Sequence, residues 1–308
     1  MRTIFISIVS TMVLSWAAHA SDWTYQSIAA ADGVPLVVAE TGNPTGPAIL
    51  FIHGFSQSLL SWKLQLDDPD LQAKYRMVAL DLRGHGASGK PWTADDYESR
   101  DWGGDIAAVI TSKGLIKPVL VGWSFGGSVM TAYLRHHGMN DVSGLIFAAG
   151  AMSLTGETAA SMSDNSDMTP EQKEMMDRMG RMMSSDIAKN LDGTSAFVGS
   201  LSAEPLDEAT QQEALVYNMM LPAYARLAMF ANQTTYEDLA GKITLPTLLI
   251  HGDADAVVNI AASVANQDLI PGSELLRYEG IGHAPFLEDP ARFNKDLAMF
   301  MDRVTASE

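Results

Sequence analysis

The chain has 308 residues and a net charge of −17 at pH 7, with 20 basic against 37 acidic side chains. Such a surface repels nucleic acid and anionic headgroups, which argues against a nucleic-acid partner, and it would not steer anionic substrates inward. Cysteine is absent, which excludes a thiol nucleophile, a thiolate zinc site and a disulfide framework.

The first twenty residues stand apart from the rest. Arg2 is a short positive start, Ile4 to Ser15 is an apolar run with polar breaks, and Ala18-His19-Ala20 is a small-x-small cleavage pattern. That order predicts a signal peptide over 1–20, cleaved after Ala20, and a secreted or periplasmic protein that begins at Ser21. An uncleaved membrane anchor is the alternative reading, although the run is short for a bilayer span. No second apolar segment has transmembrane length, so stable membrane insertion is not expected after cleavage. The remaining 288 residues are enough for one large domain, or one domain carrying an inserted subdomain.

Taken in order, the chain alternates strands and helices. Residues 23–28 and 34–40 read as two strands around the Ala31-Asp32-Gly33 turn. "AILFIHG" (48–54) is apolar on both faces, as a strand inside a parallel sheet must be. Further strands are expected at 76–82, in "PVLVGWS" (118–124), and at 142–150, 247–251 and 274–279. Helices are expected at 95–113 and 125–137, and "PARFNKDLAMFMDRV" is an amphipathic terminal helix. Eight strands interleaved with helices predict an α/β fold with a mostly parallel sheet.

Residues 152–240 break the alternation. They contain no convincing strand and hold 11 of the 18 methionines. Thr169, Pro170 and Gln172 form a capping-box start for a helix. Along it Met175, Met179, Met182 and Met183 share one face. A second helical stretch runs from Pro205 to about Met220. The segment reads as a helical lid inserted into a core made of 21–151 and 241–308. The methionine stripe packs helix on sheet, or else, through Met179 and Met183, offers a deformable apolar wall to a substrate.

The chemistry centres on Gly122-Trp123-Ser124-Phe125-Gly126, a G-x-S-x-G sequence between an expected strand and an expected helix. A serine there sits on a turn so tight that its neighbours must be small, with its hydroxyl raised above the sheet edge and a helix N-terminus beneath it. A serine hydroxyl needs a base. His283, in the Gly-flanked loop "YEGIGHAPFLEDP" after the last strand, is the best-placed histidine. The base in turn needs an acid to orient it. Asp253 and Asp255 in "IHGDADAVV" could both reach, and Asp253 also reads as plain turn chemistry. Donors for a developing oxyanion are expected at the N–H groups of Phe125 and of Phe55, in the loop His53-Gly54-Phe55. The His53 side chain reads as a brace for that loop.

Four motifs, "HGF" (53–55), "DLRGHGASG" (81–89), "GWSFGG" (122–127) and "HGDAD…GIGHAPFLEDP" (251–290), resemble the α/β-hydrolase fold family, in its subgroup of cofactor-free haloperoxidase-like serine esterases. Together they span nearly the whole of 21–308 outside the insertion. The resemblance implies an α/β-hydrolase fold with an eight-stranded sheet, Ser124 as nucleophile, His283 as base, Asp255 as orienting acid, and oxyanion donors at Phe55 and Phe125. It implies that Asp81, Arg83 and His85 are scaffold, and that neither a metal nor an organic cofactor is needed. Two departures matter. Ser56 stands where many relatives carry proline, which bears on substrate fit. The nucleophile position is serine, whereas dehalogenases and epoxide hydrolases of similar fold carry aspartate there.

Other features have simpler readings. His136 and His137 are adjacent, point to different helix faces and suit a helix C-terminus. "SDNSD" (163–167) lacks the order of a calcium loop. Trp62 packs the helix after the oxyanion loop, and Phe125 and Phe286 serve equally as pocket wall or core. The resulting expectation is a serine hydrolase acting on small, mostly apolar carboxylic esters. C–C bond hydrolysis, lactone hydrolysis and perhydrolysis use the same machinery, and a ligand-binding protein on this fold is the rival from another class.

Overall fold

The computed structural model describes residues 23–150, 152, 170–232 and 234–306. The expected leader, the acidic stretch 163–167 and the cap residue Thr169 lie outside the described residues. Eight strands form one sheet in the order β1-β2-β4-β3-β5-β6-β7-β8: β1 Thr24–Ala29, β2 Pro35–Gly42, β3 Ala48–Ile52, β4 Arg76–Asp81, β5 Val119–Trp123, β6 Gly144–Ala148, β7 Thr247–Gly252 and β8 Glu274–Tyr278. β1 and β2 form an antiparallel hairpin at one edge, and β2 meets β4 antiparallel. From β4 to β8 every neighbouring pair is parallel. The fold is therefore an α/β-hydrolase fold whose sheet is mostly parallel.

Strand character follows from burial. Every residue of β3, β5, β6 and β7 is buried, so each strand is apolar on both faces. The edge strand β8 is mostly half-buried or exposed, which fits its charged Glu274 and Arg277. Alternation sorts the side chains onto two faces. Leu50, Ile52, Val78, Leu80 and Leu120 join Ile106, Val129 and Tyr133 on one side. Ile49, Phe51, Val121 and Trp123 join Trp62, Phe293 and Leu297 on the other.

The helices in chain order are α1 Lys63–Leu66, α2 Pro69–Lys74, α3 Ser99–Lys113 and α4 Phe125–His137. Between β6 and β7 the described residues hold α5 Pro170–Met182, α6 Ile187–Gly199, α7 Glu208–Met219, α8 Ala223–Ala231 and the single turn α9 Glu237–Ala240. α10 Ala261–Leu269, α11 Pro285–Glu288 and α12 Pro290–Thr305 follow. The expected 95–113 helix is shorter than read. A 3-10 turn, Ala94–Tyr97, precedes it, and Glu98 is extended because its carboxylate forms a capping box with Asp101. Gly114 closes the helix at φ 57°, a left-handed cap that suits glycine.

Register brings the strand ends together. Ile52 pairs with Gly122, Gly122 with Phe147, Ala148 with Ile250, and Gly252 with Tyr278. The loops carrying residues 53–56, Ser124, Asp255 and His283 therefore leave the sheet at one carboxyl edge, where open parallel sheets bind ligands. Among the described residues no helix is long and apolar enough to cross a membrane.

Candidate active site

Ser124 is the residue between β5 and α4. Its backbone lies at φ 52°, ψ −118°, a conformation costly for any residue with a Cβ. The turn is held by Ser124 N–H donating to the Ala148 carbonyl (3.0 Å) and Gly127 N–H donating to the Ser124 carbonyl (2.9 Å). Both flanking glycines are sterically required. A Cβ on Gly122 would stand 2.6 Å from the Gly126 carbonyl oxygen, and one on Gly126 would stand 2.3 Å from the Ile52 carbonyl oxygen. The turn thus closes against the end of β3, and a Cβ on Gly54 would come within 3.2 Å of Ser124 Cβ.

The histidine loop is tied directly to this elbow. Trp123 Nε1–H donates to the His283 carbonyl (2.8 Å), and the two rings lie 5.7 Å apart. His283 Nδ1 is 2.7 Å from Asp255 Oδ2, with both side chains buried. Asp255 accepts further bonds: its Oδ1 takes the Val257 and Val258 N–H groups, each at 2.8 Å. A second imidazole, His251, places Nε2 3.1 Å from Asp255 Oδ2 and Nδ1 2.7 Å from Ser263 Oγ. Burial on its own would raise the Asp255 carboxyl. The opposing charge of His283 and the hydrogen bonds from both imidazoles and Val258 N–H hold it well below the usual carboxylate range. Asp255 is therefore an anion, and it accepts the Nδ1–H of His283. That tautomer leaves His283 Nε2 as the free basic nitrogen.

Asp253 has a different job. It is exposed, and its Oδ1 accepts the Gly280 N–H at 2.7 Å, bracing the turn before the histidine loop. Of the two aspartates, the structure brings only Asp255 to His283.

The loop after β3 is fixed from below by two neutral histidines. His53 accepts the Leu82 N–H at Nε2 (3.0 Å) and bonds its own loop at the Gly54 carbonyl through Nδ1 (2.8 Å). Burial lowers it to about 4. His85 accepts the Ser56 N–H at 3.1 Å and is likewise pushed well below its ordinary value by burial. Asp81 receives the N–H groups of Leu59 and Ala87, both at 2.8 Å. Arg83 pairs with buried Asp105 through two nitrogens, at 2.6 and 2.7 Å. These three side chains of "DLRGHGASG" tie β4 to the loop and to α3. Among the described residues no backbone acceptor takes the Phe55 N–H. Phe125 opens α4, where N–H groups have no intrahelical acceptor.

The residues expected to bind substrate sit as follows. Phe286 is in the core: it has no exposed surface, and its ring lies 4.2 Å from Trp62, tilted, and 4.9 Å from Trp123, edge-on. Phe125 meets Trp102 edge-on at 5.2 Å and borders a cavity of about 20 Å³ with Met229 and Tyr236. Met179 is buried and Met183 half-buried, both against the hydrophobic cluster that includes Trp123 and Ala284. His136 and His137 separate, as adjacent helix residues must: His136 Nε2 meets Ser99 Oγ at 3.0 Å and His137 stacks on Tyr133.

Three positions escape sequence reading. His251 opens the "HGDAD" motif, yet nothing local shows that it turns to Asp255. Glu288 accepts Gly282 N–H (3.0 Å) and, from the segment after α6, Ala203 N–H (2.8 Å). Arg226 is fully buried, and its only sequence signal is a lone charge in the apolar helix "AYARLAMFA".

A parallel sheet with a strained serine at a strand–helix elbow and a His–Asp pair on the same edge defines a hydrolase. The chain belongs to the α/β-hydrolase fold family, whose model matches residues 47–290. It is 30% identical over 281 residues to the non-heme chloroperoxidase CPO-A1 of Kitasatospora aureofaciens, covering 88% of this chain and 98% of that one. It is 27% identical to the bifunctional esterase/perhydrolase DCH of Acinetobacter calcoaceticus, over 88% and 97% of the two chains. Among solved structures, an aryl esterase candidate from Burkholderia cenocepacia superposes with a TM-score of 0.83 at 36% identity, covering 92% of this chain and all of that one. The chain is thus an enzyme of the hydrolase class, similar to esterases and haloperoxidases of one family.

Proposed function

We propose that this protein is a serine esterase acting on small, mostly apolar carboxylic esters through an acyl-enzyme. The observation that carries the reading is the 2.7 Å contact between His283 and Asp255 beside the strained elbow at Ser124. His283 Nε2 takes the Ser124 proton as Oγ attacks the ester carbonyl. The tetrahedral oxygen receives the N–H groups of Phe55 and Phe125. His283 then gives the proton to the departing alkoxide, and the acyl group stays on Ser124. Water, deprotonated by the same nitrogen, attacks the acyl carbonyl and releases the acid, with the proton returning to Ser124. Asp255 orients the imidazole and stabilises its charged form throughout. No step calls for a metal or an organic cofactor.

The helices between β6 and β7 act in this reading as a lid. Ser124 is only 8% exposed and His283 1%, and in this proposal an ester reaches them when those helices shift. Met179 and Met183 belong to the flexible apolar wall. Residues 1–20 serve as an export leader, so the enzyme works in the periplasm or outside the cell. The mass of the exported protein tests this, and a chain that keeps residues 1–20 would refute cleavage.

The decisive experiment is hydrolysis of an ester series of graded acyl length by residues 21–308, beside Ser124→Ala. Short and medium acyl chains should be cleaved by the wild type, and the variant should be inactive. A serine-directed phosphonate should label Ser124 and fail to label the His283→Ala protein. Full activity in Ser124→Ala would refute the nucleophile assignment. A second reading is favoured by the relative named as an esterase/perhydrolase: hydrogen peroxide in place of water would release a peracid from the same acyl-enzyme.

A further inference from the structure

Arg226 is a buried cation with no carboxylate partner among the described residues. It projects from α8, has no exposed surface, and makes no ion pair among the described residues. Its guanidinium instead donates to neutral oxygens. Nη1 reaches the Met182 carbonyl (2.6 Å), Asn190 Oδ1 (3.0 Å) and Thr194 Oγ1 (3.2 Å). Nη2 reaches the Asn218 carbonyl (2.6 Å) and Ser56 Oγ (3.1 Å). Nε is buried with no hydrogen-bond partner among the described residues. Burial pulls the group down to about 10, so it stays charged at neutral pH. Desolvating an unpaired charge is expensive, and tying the four helices α5 to α8 together through neutral acceptors would not require contact with the core.

Among the described residues the one core group it touches is Ser56, the residue after the proposed oxyanion donor. Ser56 holds a left-handed conformation, φ 63°, which a serine keeps only when its surroundings impose it. Its N–H is bound by His85 from the sheet side, and its hydroxyl faces Arg226 and the Asn218 carbonyl (3.3 Å) from the helical side. Phe55 is gripped by the same helices. Its ring lies 5.1 Å from Phe230, one turn beyond Arg226, and 6.4 Å from Phe197, both edge-on.

We propose that Arg226 is a positioning residue for the oxyanion loop: through Ser56 it fixes the direction of the Phe55 N–H, so the site is complete only while α5 to α8 are packed. The proposal rests on the esterase reading for what that N–H does, but the geometry it asserts stands separately. A substrate that displaces the helices on its way in would loosen the loop, and repacking around the bound acyl group would restore it.

The test compares hydrogen–deuterium exchange and ester kinetics in wild type, Arg226→Met, Arg226→Lys and Ser56→Ala. The expected result is exchange at amides 54–58 at least about tenfold faster in Arg226→Met, with β3 and β5 unchanged. Turnover should fall about 10- to 100-fold with KM moving less than about threefold, as for a group misplaced by a fraction of an ångström. A boronic acid that forms a tetrahedral adduct on Ser124 should lose affinity by the same factor. Arg226→Lys should recover part of the loss. Ser56→Ala, which removes only a hydroxyl, should shift the same amides and add nothing further when combined with Arg226→Met, so it decides the matter if the latter misfolds. Wild-type exchange at 54–58 in both variants would overturn the proposal, as would fully additive kinetic losses. The exchange measurement needs no turnover, so an absence of esterase activity would sink the esterase reading and leave this one to be judged by exchange alone.

Discussion

His251 and His283 share one oxygen: both imidazoles point a ring nitrogen at Oδ2 of Asp255, at 3.1 and 2.7 Å. Four donors converge on this carboxylate once the Val257 and Val258 N–H groups are counted. Asp255→Asn should therefore break more than a charge. An amide in that place presents an N–H to one of the imidazoles and favours the wrong His283 tautomer. Turnover should fall by about 10⁴-fold, while Asp253→Asn, which alters only the brace to Gly280, should stay within a few-fold. Steady-state kinetics of the two variants separates the roles, and equal losses would contradict the geometry.

The same carboxylate sets a pH expectation. Its folded value is lowered, against about 3.9 in an unfolded chain. The stability it contributes is therefore fully present above about pH 4 and is lost as pH falls through the lower folded value. The gap in thermal stability between wild type and Asp255→Asn should narrow as pH falls below about 4. A gap that stays unchanged down to about pH 2 would show that the carboxylate is not held low by these partners.

Glu288 predicts a weaker effect of another kind. Its carboxylate accepts N–H groups from both the histidine loop, at Gly282, and the segment after α6, at Ala203. Glu288→Met leaves the Gly282 and Ala203 N–H groups without that acceptor, at a cost of about 1–3 kcal/mol for each that stays dry. Exchange of amides 280–284 should accelerate, and turnover should drop about tenfold through the loosened His283. Unchanged exchange in that loop would show the clamp to be dispensable.

Much of this was legible in the letters, for definable reasons. β3, β5, β6 and β7 are buried on both faces, so each appears as a short apolar run, with Thr247 and His251 flanking the one in β7. The elbow is legible because steric clearance demands Gly122 and Gly126 whatever surrounds them. Glu98 interrupts the expected 95–113 helix because a capping side chain outweighs helical propensity there. Asp255 could not be told from Asp253 by residue type, since the choice depends on which carboxylate turns inward and which turns to Gly280. His251 and Arg226 were invisible for a related reason. The meaning of Arg226 lies in Ser56, 170 positions away, and no local periodicity encodes that distance.

Glycine substitutions separate steric need from mere permissiveness. A Cβ on Gly126 would meet the Ile52 carbonyl oxygen at 2.3 Å, and that oxygen belongs to the sheet. Gly104, inside α3, has nothing within 4 Å of the same position. Gly126→Ala should fail to fold or lose several kcal/mol, whereas Gly104→Ala should gain about 1 kcal/mol from helix propensity. Thermal melts of the two proteins check the contrast, and a tolerated Gly126→Ala would mean the elbow can relax in a way the structure does not show.

The last expectation concerns strain at Ser124 itself. At φ 52°, ψ −118° the backbone occupies a region open to glycine and costly for a side chain, by about 1–3 kcal/mol. Ser124→Ala removes the hydroxyl and keeps the Cβ, so it abolishes turnover without relieving the backbone. Ser124→Gly removes both. At an ordinary helix-flanking position glycine is less stable than alanine by up to about 1 kcal/mol. Here the order should invert, with Ser124→Gly melting above Ser124→Ala by about 2–4 °C for a net gain near 1 kcal/mol. Neither variant should hydrolyse esters, so the comparison isolates conformational energy from chemistry. The ordinary order, alanine above glycine, would mean that no strain is stored at the elbow and that the conformation is held there at no cost to the folded protein.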